Sequence, residues 1–253
     1  MHYAIFRPEG AARGDVTLVN GFTRSGSDFK AMARFLSERG WRVFVPDNRG
    51  SGQSEGTAGF TLEDLAADLV RMWDENAVVK SHLLGISFGG AVSMTTAFGY
   101  PDRVASLVLV STIAKWREEG WRNSLFEQGE AEQAKNLERY FSPTFREAKG
   151  FLVKALTKEM SKSFREPEKV ARAEAQLQAV RKFDATGKLE RLIQPTLVLH
   201  GADDTVAPVD GARELAKKIP GATLDLIPGI GHLFLAEAPK LLYEKAAAFW
   251  DDL

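Results

Sequence analysis

Ser81-His82-Leu83-Leu84-Gly85-Ile86-Ser87-Phe88-Gly89-Gly90 is a short apolar run that ends in Gly-x-Ser-x-Gly and continues into small residues suited to a helix start. Gly-x-Ser-x-Gly between a strand and a helix is the pattern of a nucleophile elbow, a tight turn that holds a serine hydroxyl clear of the sheet. The glycines answer a steric need. The serine backbone in such a turn is strained, and side chains at Gly85 and Gly89 would collide with the neighbouring strand and helix. Glycine and serine are common, so the pattern gains meaning only if the rest of the chain supplies a base, an acid and an oxyanion hole in the right order.

Outward from the elbow, apolar runs of strand length recur at 16–20, 43–46, 82–86, 107–110, 196–200 and 223–227. Most are continuous rather than alternating, as expected of strands buried on both faces of a parallel sheet. Segments of helical periodicity lie between them at 28–39, 62–73, 91–100, 211–219 and 241–250, and Thr61 with Asp64 forms a capping arrangement at the start of the second. This alternation predicts an α/β fold, an open, mostly parallel, doubly wound sheet with covered faces.

The alternation stops between about Ile113 and Leu192. That stretch is rich in Lys, Arg, Glu, Gln and Ala, and is punctuated by Trp116, Trp121, Phe126, Tyr140, Phe141, Phe145, Phe151, Phe164 and Phe183. It reads as several short amphipathic helices forming a lid or cap insertion, residues 113–192, within a core made of residues 1–112 and 193–253. The aromatics can simply pack on the main body, or their apolar underside can wall a substrate pocket, since ligand sites favour such clefts.

Composition narrows the classes. With 253 residues, 44% of them hydrophobic, one large domain can bury a full core. The 33 basic and 34 acidic residues nearly cancel, so there is no basic excess of the kind a nucleic-acid footprint needs. Cysteine is absent, which removes disulfides and thiolate metal sites. The first ten residues carry Arg7, Pro8 and Glu9 rather than an apolar signal core, and no apolar run nears the ~20 residues that span a bilayer. The expectation is a soluble, cytoplasmic protein.

A serine hydroxyl needs an adjacent base, usually a histidine oriented by a carboxylate. There are four histidines. His2 is terminal. His82 opens the strand that leads to Ser87 and so sits toward the opposite end of the sheet. His200 ends a strand and reads as a structural residue held at the strand exit. His232, in Pro228-Gly229-Ile230-Gly231-His232 after the last strand, is placed to reach over the C-terminal sheet edge, where open α/β sheets bind ligands. The acid is expected between serine and histidine in sequence, just beyond a strand end, and Asp203 and Asp204 compete for that role. The oxyanion hole calls for the backbone N–H of Phe88, after the nucleophile, and of Phe22, in the Asn20-to-Gly26 loop after an early strand.

Taken together these segments resemble the α/β-hydrolase superfamily, and more closely its compact, lidded serine esterase and lactonase-like branch. The resemblance covers nearly all of the chain outside the lid. Asp47-Asn48-Arg49-Gly50-Ser51-Gly52-Gln53-Ser54 is similar to the D-x-R-G-x-G-x-S loop of that family, Gly85 to Gly90 to its elbow, and Pro101 to Val104 to its next helix–strand junction. Gly201 to Pro208 is similar to its acid loop, where the carboxylate stands three residues after the glycine; that spacing selects Asp204. Gly231-His232 followed by Glu237-Ala238-Pro239 is similar to its histidine loop. Asn20-Gly21 stands where the family often has His-Gly, a departure that bears on loop geometry and subfamily. A serine at position 87 separates the chain from relatives that use an aspartate nucleophile.

The resemblance implies hydrolysis of a carboxylic ester, lactone or related acyl compound, with Ser87, Asp204 and His232 as triad and no cofactor. Two alternatives stand beside it. The same triad can transfer the acyl group to another acceptor, perform perhydrolysis or cleave a carbon–carbon bond; or the chain is a slow-turnover small-molecule receptor that signals through its lid. Asp and His occur singly in separate loops, without the clustered spacing of a metal site. The expected partner is a small acyl compound, partly apolar. Arg24, Arg117 and Arg122 are candidates for reading a carboxylate on it.

Overall fold

The computed structural model describes residues 1–56, 59–116, 126 and 129–253. Among these residues seven strands, β1 (Tyr3–Phe6), β2 (Gly14–Val19), β3 (Trp41–Pro46), β4 (Ser81–Ile86), β5 (Val104–Val110), β6 (Thr196–Gly201) and β7 (Thr223–Ile227), form one sheet in the order β1-β3-β2-β4-β5-β6-β7. β1 runs antiparallel to β3 and the other pairings are parallel. The six apolar runs read from the sequence are β2 to β7. β1 was not among them, because an edge strand of four half-exposed residues lacks the continuous apolar run of a buried strand.

Side-chain alternation sends successive strand residues to opposite faces, and each face is covered. Against one pack α2 (Leu62–Glu75) and α3 (Phe88–Gly99), through Leu65, Leu69, Val92 and Met94 on Leu83, Leu107 and Leu109. Against the other pack α1 (Lys30–Ser37) and the C-terminal helix Pro239–Asp251, through Met32, Leu36, Leu242 and Trp250 on Val16, Leu18, Leu84 and Val108. Fully burying each such side chain contributes about 1.5–3 kcal/mol, so both layers contribute to holding the sheet between them. The Thr61–Asp64 pair closes a capping box at the start of α2: the Asp64 N–H donates to Thr61 Oγ1 at 3.2 Å and the Thr61 N–H to Asp64 Oδ2 at 2.8 Å. The expected helix at 28–39 instead opens as a 3-10 turn over Gly26–Phe29 before α1 begins.

The strand order determines where a site can form. After β2 the chain adds β3 on one side, then crosses to place β4 on the other side of β2. The loops leaving the C-terminal ends of β2 and β4 therefore diverge, which opens the crevice where ligands bind in open α/β sheets.

Between β5 and β6 lies an inserted helical block with α4 (Glu130–Glu138), α5 (Pro143–Ala148), α6 (Gly150–Ser161) and α7 (Pro167–Val180). Its two ends are clasped where the Trp116 N–H donates to the Phe183 carbonyl at 2.9 Å and the Ala185 N–H to that of Ala114 at 2.7 Å. Leu137, Tyr140, Phe141, Val153, Phe164 and Ala173 give the block its own small core. The aromatics divide: Tyr140 and Phe164 are buried, while Phe151 is 91% exposed. Trp121, Arg117 and Arg122 lie outside the described residues. Among the described residues no helix is long and apolar enough to cross a membrane.

His82 sits at the far end of β4 from the elbow, its ring 5.1 Å from that of Trp41 and 6.0 Å from that of Trp250, with Nδ1 2.8 Å from Ser106 Oγ. Burial, helped by the charge of Arg13, pushes its pKa down to about 4. The unfolded chain, with an ordinary histidine near 6.5, binds this proton more readily than the folded one. Stability is therefore intact above that value and is lost as pH falls toward 4. Thermal midpoints measured from pH 7 to 4 should fall less steeply in His82→Phe than in wild type; parallel curves would rule out this source.

Candidate active site

Ser87 stands between β4 and α3 with φ 53° and ψ −115°, a left-handed conformation that L-residues avoid and that costs roughly 1–3 kcal/mol. Its surroundings hold it there. The Ser87 N–H donates to the Val110 carbonyl at 2.9 Å, and the Ser87 carbonyl accepts from the Gly90 N–H and from Thr112 Oγ1, both at 2.8 Å. A Cβ on Gly85 would strike the Gly89 carbonyl and Ser93, and one on Gly89 would strike the carbonyls of Val19 and Asn20. The steric need inferred for Gly85 and Gly89 is thus met by helix and strand backbone. Overpacking of this kind costs about 1–3 kcal/mol, so Gly89→Ala should lower the thermal midpoint, because α3 must move off the end of β2; a variant with a wild-type midpoint would contradict this packing.

Ser87 Oγ is 3.0 Å from His232 Nε2, and His232 Nδ1 is 2.8 Å from Asp204 Oδ2. These three residues come from the turn after β4, the loop after β7 and the loop after β6. Asp204 is the aspartate brought to the histidine; Asp203 is half-buried and its N–H donates to the Ile230 carbonyl. The other Asp204 oxygen accepts from the N–H groups of Val206 and Ala207, both at 2.8 Å. Burial by itself would raise this carboxyl. The charge and hydrogen bond of His232, joined by His200 and the Ala207 N–H, outweigh it and keep the group below the usual carboxylate range. Asp204 is thus ionised beside the imidazole.

His200 has the structural position expected, fully buried with Nε2 2.9 Å from the Ala207 carbonyl, and it also lies 3.4 Å from Asp204 Oδ2. His2, which the sequence left without a role, has Nδ1 2.9 Å from Asp47 Oδ2. Asp47 is the buried hub of its loop, accepting from the N–H groups of Gly26 and Gln53 and from Ser25 Oγ.

The loop after β2 approaches the elbow, with Gly21 facing the Ile86 carbonyl and Ser87. Asn20 ties this loop together. Its Oδ1 accepts from the Gly21 N–H at 2.7 Å, and its Nδ2 donates to the Ser25 carbonyl at 2.6 Å and to Asp28 Oδ2 at 3.1 Å. The Phe22 ring lies edge-on to Phe88 at 6.3 Å and stacks on Phe164 of the helical block at 6.2 Å. Phe88 is the first residue of α3, where a backbone N–H has no acceptor within the helix and the helix dipole favours negative charge. Phe22, on the loop after β2, and Phe88, at the start of α3, therefore sit on the two segments that border Ser87.

A cavity of about 230 Å³ opens on Ser87 and His232, walled by Leu137, Leu156, Met160, Phe164 and Leu235. Its polar end holds Arg24, whose Nε is paired with Asp28 at 2.8 Å. A second cavity of about 140 Å³ also reaches Ser87 and His232 and is bordered by Thr112, Trp116, Arg139 and Phe183. Among the described residues no cluster of three or more His, Cys, Asp or Glu could hold a metal ion.

Three contributors were not legible in the sequence as parts of the site. The Tyr140 carbonyl accepts from the His232 N–H at 2.9 Å, and its ring lies edge-on to the imidazole at 5.3 Å. Glu237 accepts from the Ser142 N–H at 3.0 Å, from Ser142 Oγ at 2.6 Å and from the Gly231 N–H at 3.2 Å, which fastens the histidine loop to the helical block. Gln176 of α7 is the third. In the sequence Glu237 is legible only as part of a motif, and Tyr140 only as one aromatic among several.

The protein is thus a doubly wound sheet with a Ser–His–carboxylate chain at its switch point. The model of the alpha/beta hydrolase fold family matches residues 16–239, and the chain belongs to that family. It is 31% identical over 245 residues to a Variovorax paradoxus protein provisionally named a carbamate hydrolase, covering 92% of this chain and 89% of that one. It is 30% identical over 251 residues to a non-heme chloroperoxidase of Burkholderia pyrrocinia, covering 91% and 89%. Among solved structures, a thermophilic esterase from Thermogutta terrifontis superposes with a TM-score of 0.83 at 26% identity, covering 99% of this chain and 93% of that one. These relatives are named as a hydrolase, a chloroperoxidase and an esterase.

Proposed function

We propose that the chain is a serine hydrolase that cleaves a small carboxylic ester, lactone or related acyl compound, with residues 113–192 as a lid over a core of 1–112 and 193–253. The observation that carries this reading is the continuous chain Ser87 Oγ, His232, Asp204, with spacings of 3.0 and 2.8 Å. His232 Nε2 takes the Ser87 proton as Oγ attacks the carbonyl carbon, and Asp204 holds Nδ1 protonated and stabilises the imidazolium. The Phe22 and Phe88 N–H groups hold the oxyanion. His232 then gives its proton to the departing alcohol, leaving an acyl group on Ser87. Water, deprotonated by the same nitrogen, releases the acid and restores the hydroxyl.

The apolar cavity wall supports a substrate with an apolar portion. At about 230 Å³, that space is below the roughly 300–1,000 Å³ of drug-sized sites, which favours a small one. A relative named a chloroperoxidase makes hydrogen peroxide a second acyl acceptor to test against water.

Short p-nitrophenyl esters and lactones of graded chain length should be turned over many times, with activity highest for short or medium acyl groups. The same preparation should lose activity on stoichiometric reaction with a fluorophosphonate. Labelling without turnover would mark a receptor instead, and neither labelling nor turnover would end the proposal.

A further inference from the structure

We infer that Gln176, in α7 of the helical block, is a positioning residue that sets the oxyanion loop; this rests on the serine-hydrolase reading above. Gln176 is fully buried and spends its amide on three separate partners. Its Oε1 accepts from the Thr23 N–H at 2.8 Å, and its Nε2 donates to the Arg49 carbonyl at 2.8 Å and to Ser51 Oγ at 2.7 Å. One side chain from the inserted block thus joins the loop after β2 to the loop after β3.

The attachment point is what gives the contact catalytic weight. Thr23 directly follows Phe22 and has φ 59°, a left-handed conformation unfavourable for a threonine. On the other side of Phe22, the Gly21 N–H is bound by Asn20, and the Asn20 carbonyl accepts from Asn48 Nδ2 at 3.1 Å. The peptide that bears the Phe22 N–H is therefore pinned at both flanks against the 47–54 loop, once by Asn48 and once through Gln176. That loop is itself fixed, since Arg49 makes a two-pronged ion pair with Asp68 at 2.6 and 2.9 Å. An oxyanion donor works by pointing at where charge develops. Releasing the Thr23 N–H lets its strained backbone relax and turns the neighbouring Phe22 amide.

The prediction is a loss confined to the transition state. Gln176→Met, similar in length but without polar atoms, should lower kcat for p-nitrophenyl butyrate by about 10–100-fold, the scale of a small misplacement of a catalytic group. KM should change less than about threefold, as expected when only a transition-state interaction is lost. Inhibition by phenylboronic acid, which becomes tetrahedral on Ser87, should weaken by the same factor as kcat. A variant that merely loosened the fold would not make boronate affinity track kcat at constant KM. Wild-type kcat and boronate affinity in folded Gln176→Met would overturn the inference.

Should that variant not fold, Gln176→Glu serves. Its carboxylate still faces the Thr23 N–H but repels the Arg49 carbonyl, and kcat should fall at least about threefold at unchanged KM; an unchanged kcat overturns the inference. Failure of the underlying reading looks different, because wild-type protein would then show either no fluorophosphonate adduct on Ser87 or an adduct without ester turnover.

Discussion

Ser87→Ala should lower kcat for a short p-nitrophenyl ester by about 10⁵–10⁶-fold, the loss that follows removal of a triad nucleophile, while leaving the fold intact. Only Oγ is removed, and in the structure that atom's recorded partner is His232 Nε2. The contacts that hold the elbow, from the Ser87 N–H to Val110 and from its carbonyl to Gly90 and Thr112, belong to the backbone and survive. Alanine keeps the same strained φ of 53°, so the stability cost of the turn stays as it was. A matching circular dichroism spectrum and thermal midpoint, with kcat measured by p-nitrophenol release, check both halves. The remaining activity should exceed the reaction in water, because binding and the oxyanion donors persist.

Asp204→Asn should lower kcat by about 10⁴-fold, through the tautomer of His232 rather than through its position. In the native site one carboxylate oxygen accepts from two backbone N–H groups, and the other accepts from His232 Nδ1. An asparagine cannot reproduce both. If its oxygen stays with Val206 and Ala207, its NH₂ faces His232, Nδ1 becomes an acceptor, and the proton moves to Nε2, which can no longer receive one from Ser87. If the amide flips, its NH₂ is driven against two buried N–H groups, an arrangement that costs about 1–3 kcal/mol for the unsatisfied donors. Steady-state kcat, read with thermal midpoints of the two proteins, separates these outcomes. An Asp204→Asn enzyme with kcat within about tenfold of wild type would remove the carboxylate from the mechanism.

What the sequence made legible follows from how local each signal is. Buried parallel strands announce themselves as unbroken apolar runs, so β2 to β7 could be read one at a time. β1 could not, because its four residues gain their meaning from pairing with β3, 40 residues away in sequence. The grouping of Ser87, Asp204 and His232 was legible because each follows a strand in a short loop of restricted composition, and the choice of Asp204 over Asp203 came from the resemblance to the family's acid loop. The ties between insertion and core were hidden for the opposite reason. Gln176 lies in an unremarkable run of Ala, Glu and Gln, and its partners at Arg49 and Thr23 are 127 and 153 residues distant. No periodicity or spacing reports such a contact. Asn20, where the family often has histidine, braces its own loop through Ser25 and Asp28.

In the proposed mechanism Ser87 carries the acyl group during turnover. Its most direct test is peptide mapping by mass spectrometry after reaction with a fluorophosphonate, in which a serine oxygen displaces fluoride from phosphorus. One adduct per chain is expected, on the peptide containing Ser87, with ester hydrolysis lost in proportion to labelling. Loss of activity with the label on another residue, or continued ester turnover by protein fully labelled at Ser87, would contradict it.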